Sequence, residues 1–280
     1  MEKLQAALEK ARLKREGNPG ARQPQATPQR AARSQKSRVL NDDQTGVDRL
    51  WSSIPSVALR DSALTRNRIV TRNASEQATP FDILRTKILL QMQQHGWSRL
   101  AVTSPMPQCG KTTTACNLAL GLGRQNNLRA MLFDMDLASP SVHEFFELEP
   151  RNSIKQFLTG DINFEDQATR IGENIITSMC PKVEDDPTRT LLAEHTAHVL
   201  DEVQDTYEPD IMIFDLPSVL KGDNTRAFLK NVDCALIIAR AGVTRYGQFN
   251  TAEREIAEHT NVLGVVLNAC GSGVGHGDVE

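Results

Sequence analysis

The sequence predicts an α/β domain with a doubly wound, mostly parallel sheet, preceded by a disordered N-terminal segment. Three observations predict it. From residue 76 onward, short apolar runs alternate with stretches of helical periodicity. The runs are apolar at nearly every position instead of every second one, the pattern of strands buried on both faces. One run leads into "TSPMPQCGKTTT" (103–114) and then a helical stretch, a strand–loop–helix unit.

The first element is the N-terminal region, 1–75. Residues 1–40 carry ten Lys or Arg against three Glu, a net +7, so the overall charge of −3 leaves −10 for the remainder. That overall balance argues against nucleic acid as the partner of the whole chain. Leu4, Leu8 and Ala11 share one face of a short helix expected over 1–16. Residues 17–45 are rich in Pro, Gln, Arg and Ser and bury too little apolar surface to order themselves. A solvated tail is the plainer expectation. A basic arm toward an anionic membrane surface is the sharper one, since ~1 kcal/mol per basic residue is available there.

The folded domain is expected over 76–270, with a flexible tail over 271–280. Phe81, Leu84, Ile88 and Leu89 fall at helical spacing, and Gly96 stops that helix. Strands are expected at 99–104, 129–136, 174–180, 210–217, 234–241 and 262–270, with helices at 112–125, 187–207, 222–231 and 246–259. A chain of 280 residues has room for one large domain of this kind plus extra segments. No stretch approaches the ~20 apolar residues of a membrane span. The opening "MEKLQAALEK" has charges where a signal peptide has its apolar core. Five scattered cysteines without a C-x-x-C pair suit a reducing cytoplasm and argue against disulfides, zinc or an iron–sulfur cluster. The expected location is the cytoplasm, extending to the inner face of the plasma membrane where the basic arm or a partner holds the chain there.

In such sheets ligands bind at the carboxyl ends of strands. The stretch 103–114 lies at one of them, where a helix begins with unpaired N–H groups that attract phosphate. Gly110 lets the backbone approach the oxygens, Lys111 reaches the β and γ phosphates, and the Thr112 hydroxyl holds Mg²⁺. A lone Gly-Lys-Thr is weak evidence. Asp134 and Asp136, two apart on an expected strand, place their carboxylates on one face. Asp215 ends the apolar run "IMIFD". One strand-end Asp is commonly a cap or turn residue. Three at the edge that carries a phosphate loop point to a cation, because carboxylates packed without one repel each other and hold their protons.

Together "TSPMPQCGKTT", "MLFDMDLASP" and "IMIFDLPSVL" resemble the ATPase domain of bacterial tyrosine kinases. These are the capsular and exopolysaccharide biosynthesis proteins of the CpsD/CapB type, P-loop NTPases of the MinD/ParA-like branch. The likeness spans about residues 76–270, and "PFDILRTKIL", "SIKQFLTGD" and "VLNAC" agree with it. The family loop also lacks the early glycine and opens Ser-x-x-Pro, matched by Ser104 and Pro107, so Pro105 is no defect. The resemblance implies ATP bound by Pro107, Gln108, Cys109, Gly110, Lys111, Thr112 and Thr113, with Asn268 near the adenine. It implies that Asp134 activates the attacking hydroxyl, that Thr112, Asp136 and Asp215 serve Mg²⁺, and that Lys111, Asp134, Asp136 and Asp215 form the catalytic set. It implies phosphoryl transfer to tyrosine in the control of polysaccharide polymerisation and export. Its partners would be an integral membrane activator of the polysaccharide copolymerase type and further copies of the chain.

Four departures accompany the likeness. Gln108 stands where the family usually has glycine. Ser218 replaces the second proline of Asp-x-Pro-Pro. The oligomerisation helix, usually Glu-x-x-Arg-x-x-Arg, reads Thr79, Asp82 and Arg85. The tail "GSGVGHGDVE" carries no tyrosine, and the two tyrosines of the chain are Tyr207 and Tyr246. Two other readings stay open. A ParA/MinD-type dimerising ATPase is one, although that class has a Lys-Gly-Gly opening where this loop has Thr103-Ser104-Pro105. An ATP-binding regulatory scaffold without phosphoryl transfer is the other. Arg85, Arg240 and Arg245 are candidates for phosphate contacts. His143, His195, His198 and His259 show no metal spacing, and Cys109 reads as an inert loop residue before it reads as a redox switch.

Overall fold

The computed structural model describes residues 42–270. The expected helix at 1–16 and the expected tail at 271–280 lie outside the described residues. The chain runs α1 (Asp42–Ser53), β1 (Ser56–Val57), α2 (Asp61–Arg66), a 3-10 turn (Glu76–Ala78), α3 (Thr79–His95), β2 (Arg99–Thr103), α4 (Lys111–Gly123) and β3 (Ala130–Asp134). It continues through α5 (Val142–Phe146), α6 (Ile154–Leu158), α7 (Phe164–Gln167), β4 (Thr169–Ile171), β5 (Ile175–Ser178), α8 (Pro187–Leu192) and α9 (Glu194–Tyr207). The last elements are β6 (Ile211–Asp215), α10 (Asn224–Leu229), β7 (Cys234–Arg240), α11 (Tyr246–Ala257) and β8 (Asn261–Asn268).

The strands form one eight-stranded sheet in the order β1-β4-β5-β3-β6-β2-β7-β8. Every pairing is parallel except β4 with β5. The doubly wound, mostly parallel sheet expected from the apolar runs is therefore present. β2, β3 and β6 are buried at every residue, because alternate side chains enter two separate cores. Leu100, Val102, Leu132 and Ile213 pack on the face that carries α4. Ala101, Met131, Phe133 and Phe214 pack on the other. There Phe214 stacks on Phe133 at 5.1 Å, and Phe164 meets the Tyr207 ring edge-on at 5.1 Å. Each buried ring of this kind is worth roughly 1.5–3 kcal/mol of transfer free energy.

The boundary expected at residue 75 falls too late. Trp51 and Ile54 are buried in the core beside Phe214 and Tyr207, and the Trp51 indole N–H donates to the Tyr207 carbonyl at 2.8 Å. Leu59, Leu64 and Ile69 enter the second core. β1 adds a strand to the sheet edge, with Val57 opposite Ile171. The polar composition of 1–75 conceals these few anchors, which are spaced along short elements and gain their burial only from distant partners.

Three local expectations also change. The helix expected over 187–207 breaks at Ala193, whose ψ of 138° separates α8 from α9. β3 stops at Asp134, so Asp136 is not on the strand but in the loop after it, where its Oδ1 accepts the Ser139 N–H at 3.1 Å. β1 and β4 are strands of two and three residues, too short to show a periodicity. The helix stop at Gly96 holds: its φ of +68° closes α3 in the left-handed form that glycine adopts at least cost.

Candidate active site

The carboxyl ends of β2, β3, β6, β7 and β8 meet below a cavity of about 1030 Å³. Its floor is the loop between β2 and α4. The carbonyls of that loop are tied from both sides. The Ser104 hydroxyl donates to the Met106 carbonyl at 2.7 Å and lies 3.2 Å from the Ser218 hydroxyl. Val219 N–H donates to the Ser104 carbonyl at 2.9 Å. Ser218, a departure from the family pattern, thus braces the loop. Arg240 donates to the Gln108 carbonyl at 3.0 Å, and the Asn268 amide to the Cys109 carbonyl at 2.9 Å.

Two positions in the loop have left-handed backbone. Gly110 sits at φ +92°, which favours glycine, and a Cβ there would lie 2.1 Å from the Asn268 amide nitrogen, so the Asn268 side chain would have to move off the Cys109 carbonyl. Gln108 adopts φ +61° as a non-glycine residue. Its side chain is exposed, and the conformation costs about 1 kcal/mol relative to glycine. That is the physical meaning of a glycine in the usual loop.

Behind Thr112 lie two buried acids. Parallel register sets Asp134 directly beside Asp215. Both are fully buried. Asp134 Oδ2 accepts the Ser141 and Val142 N–H groups, each at 3.0 Å. Asp215 Oδ2 accepts the Thr112 hydroxyl at 2.6 Å. The Oδ1 atoms of both acids are buried and without a partner among the described residues. Burial and the neighbouring Asp215 push the Asp134 carboxyl well up from its ordinary range. Burial pushes Asp215 up to about 7, against the pull of Lys111 and Thr112. Burial also raises Asp136, and Lys111 opposes it.

Of the residues expected at the site, Pro107, Gln108, Cys109, Gly110, Lys111, Thr112, Thr113, Asp136 and Asn268 line the cavity. Asp134 and Asp215 lie beneath it. Asn268 touches the loop itself, with its amide on the Cys109 carbonyl. The three candidate arginines separate. Arg240 is at the cavity. Arg85 is taken up by Asp82 at 3.0 Å and by the Gly121 carbonyl at 2.8 Å. Arg245 precedes α11, outside the lining. Cys109 is buried, which fits the inert reading. Sequence reasoning missed Ser141, whose hydroxyl lies 3.1 Å from that of Thr112. It also missed a second wall made by Arg68, Val70, Phe81 and Phe145. Nothing local announces Ser141, which follows the segment "DMDLASP", or the wall.

The family model of the CobQ/CobB/MinD/ParA nucleotide binding domain matches residues 100–276. Tyrosine-protein kinase YwqD of Bacillus subtilis is 26% identical over 214 residues, 75% of this chain and 88% of that protein. Putative tyrosine-protein kinase EpsB of Ralstonia nicotianae is 26% identical over 66% of this chain, which spans only 25% of that protein. Among solved structures, the kinase domain of Escherichia coli tyrosine kinase ETK superposes with a TM-score of 0.64 at 17% identity, over 80% of this chain and 94% of that one. The chimerical protein CapA2B2 superposes at 0.65 and 19%, over 76% and 92%. The two structures share the fold, and both relatives are bacterial proteins named for tyrosine-protein kinase activity. With its phosphate loop, its paired strand-end acids and a match over more than half its length, the chain belongs to the CobQ/CobB/MinD/ParA family of nucleotide-binding domains.

Proposed function

We propose that the chain binds ATP with Mg²⁺ and transfers the γ-phosphoryl group to a tyrosine hydroxyl. One observation carries this reading: two fully buried carboxylates lie side by side, each with one oxygen that has no donor among the described residues, and one of them, Asp215, takes the Thr112 hydroxyl and feels the Lys111 ammonium. Buried acceptors of this kind are costly unless something satisfies them, and a divalent cation is the group that the donor set fits. Thr112, Asp136 and Asp215 would hold it, and when bound it would neutralise charge on the phosphates.

The chain's own residues do the rest by position and electrostatics. Lys111 and the loop N–H groups stabilise charge on the transferred group. Pro107, Gln108, Cys109, Gly110 and Thr113 shape the phosphate bed, and Asn268 and Arg240 form the wall nearest the nucleotide base. Asp134 is the proton acceptor for the incoming hydroxyl. Two amides fix one of its oxygens, and burial raises its proton affinity. Because Asp134 lies beneath the cavity, the floor at Thr112 and Ser141 has to part for the hydroxyl to reach it.

The acceptor stands on another protein or at Tyr246. Tyr207 is buried with its hydroxyl on Glu165, while Tyr246 is exposed at the start of α11. In this reading the domain proper covers about 46–270, with residues before it as a basic arm. The resemblance adds a role in capsule or exopolysaccharide synthesis, an integral membrane activator of the copolymerase type and assembly with further copies. Such an activator would hold the chain at the inner face of the membrane. No helix among the described residues is long and apolar enough to cross one. A γ-labelled ATP assay on the wild type, Lys111→Met and Asp134→Asn tests the reading, with ADP and phosphotyrosine followed together. Phosphotyrosine in the wild type and its loss by a factor of about 10²–10³ in both variants is expected. ADP release without phosphotyrosine, with and without a membrane extract, would make the chain an ATPase switch instead.

A further inference from the structure

The cavity has two walls, and nucleotide binding accounts for only one. The first comprises Arg240, Asn268 and Ala269, at the ends of β7 and β8. The second comprises Arg68, Val70, Phe81 and Phe145, on the side of the loop that follows Asp136. This second wall is fastened to the phosphate loop's own helix. The fully buried Asn117 amide donates to the Arg68 carbonyl at 3.0 Å and to the Thr113 carbonyl at 2.8 Å, and its oxygen accepts the Val70 N–H at 2.9 Å. Asn67 donates to the Phe145 carbonyl at 3.0 Å, which joins the strap formed by residues 67–71 to α5.

Arg68 sits in this wall at a cost. It is the left-handed residue that closes α2, at φ +57°, where the Ile69 N–H reaches back to the Leu64 carbonyl at 2.8 Å. Glycine or asparagine fills such a position with less strain. Six non-glycine residues among those described have left-handed φ, and three of them, Arg68, Gln108 and Ala269, line this one cavity. Strain concentrated in this way marks a site whose side chains are used. Arg68 is exposed, and its guanidinium has no hydrogen-bond or ion-pair partner among the described residues. Arg240, the other guanidinium at the cavity, is already bound to the Gln108 carbonyl.

The geometry points to the second wall as the acceptor subsite. It takes an aromatic side chain against Val70, Phe81 and Phe145, with a carboxylate next to it in sequence pairing with Arg68. The ligand is thus a tyrosine in an acidic segment of another protein. A guanidinium suits a carboxylate through two parallel hydrogen bonds, and the apolar faces suit the ring. This assignment rests on the phosphoryl-transfer reading for its chemistry, but the binding it predicts can be measured alone.

The test uses the full chain loaded with MgADP and a fluorescein-labelled random copolymer of glutamate and tyrosine, with a lysine–tyrosine copolymer as comparison. Anisotropy gives the affinities of the wild type and of Arg68→Ala, Arg68→Lys and Arg68→Glu. Phosphotransfer from γ-labelled ATP to the same copolymers is followed in parallel. The expected result is preference for the acidic copolymer, weakened about twofold to fivefold in Arg68→Ala. Arg68→Lys should restore part of the loss, and Arg68→Glu should reverse the preference. Phosphotransfer with an unchanged KM in Arg68→Ala would overturn the subsite and leave the kinase reading standing. Arg68-dependent binding without any phosphotransfer would uphold the subsite and remove the kinase reading. An equal loss of affinity for ATP itself would make Arg68 a nucleotide contact and overturn the proposal. So would absence of binding to either copolymer.

Discussion

The two walls of the cavity are built by different means. The floor and first wall come from strand ends, and each functional group stands within a few residues of a strand that the sheet fixes. Asp134 and Asp215 face each other because β3 and β6 are neighbours in register. The Arg68 and Val70 half of the second wall comes from a strap, residues 67–71, that belongs to no strand and is held mainly by the buried Asn117 amide, with Asn67 on the Phe145 carbonyl and the Thr71 hydroxyl on the Asn117 carbonyl. The sheet edge is rigid because many bonds define it. The strap is positioned because a few buried bonds define it, so single substitutions reach it far more easily.

The largest expected effect comes from removing the segment that carries the strap. A chain beginning at residue 76 loses Trp51, Ile54, Leu59, Leu64 and Ile69 from two cores. We expect it to be largely insoluble or unfolded by circular dichroism. Trp51→Ala alone should cost about 3–5 kcal/mol in urea unfolding. A truncated chain with native stability would show that 46–75 is an appendage after all. Next comes Asn117→Ala, which leaves the Val70 N–H and the Arg68 carbonyl without their side-chain partner. The loss should be about 2–3 kcal/mol, with faster hydrogen exchange at 69–71 and little change along β2 and β6. Equal change in both regions would erase the distinction between the walls. The smallest effect belongs to the loop. Gln108→Gly relieves a left-handed φ and should stabilise the protein by about 0.5–1 kcal/mol. Destabilisation would mean that the Gln108 side chain makes a contact that the backbone strain serves.

The same contrast explains what the sequence disclosed. The parallel sheet, the phosphate loop and Asp215 were legible because each is local: an apolar run, a glycine before a lysine, an acid at a strand end. Ser104 and Pro107 carried the family likeness for the same reason. The position of Asp136 was misread because two carboxylates spaced by one residue look like a strand pair, and nothing in "DMD" shows that β3 stops at the first. Arg240 could not be chosen over Arg85 and Arg245, because the choice depends on Asp82 and the Gly121 carbonyl, which occupy Arg85 across the packed helices. The strap was invisible since its defining contact spans from Asn117 back to Arg68 and Val70. No periodicity or spacing records a contact of that range.

In the proposed site Thr112, Asp136 and Asp215 hold Mg²⁺ beside the phosphates, and Asp134 stands next to Asp215 as the proton acceptor. The most direct measurement is calorimetric titration of ATP into the wild type and Asp215→Asn, each with Mg²⁺ and with EDTA. Removing Mg²⁺ should weaken ATP binding at least tenfold in the wild type, about 1.4 kcal/mol, and much less in the variant. The same dependence on Mg²⁺ in both proteins would contradict it.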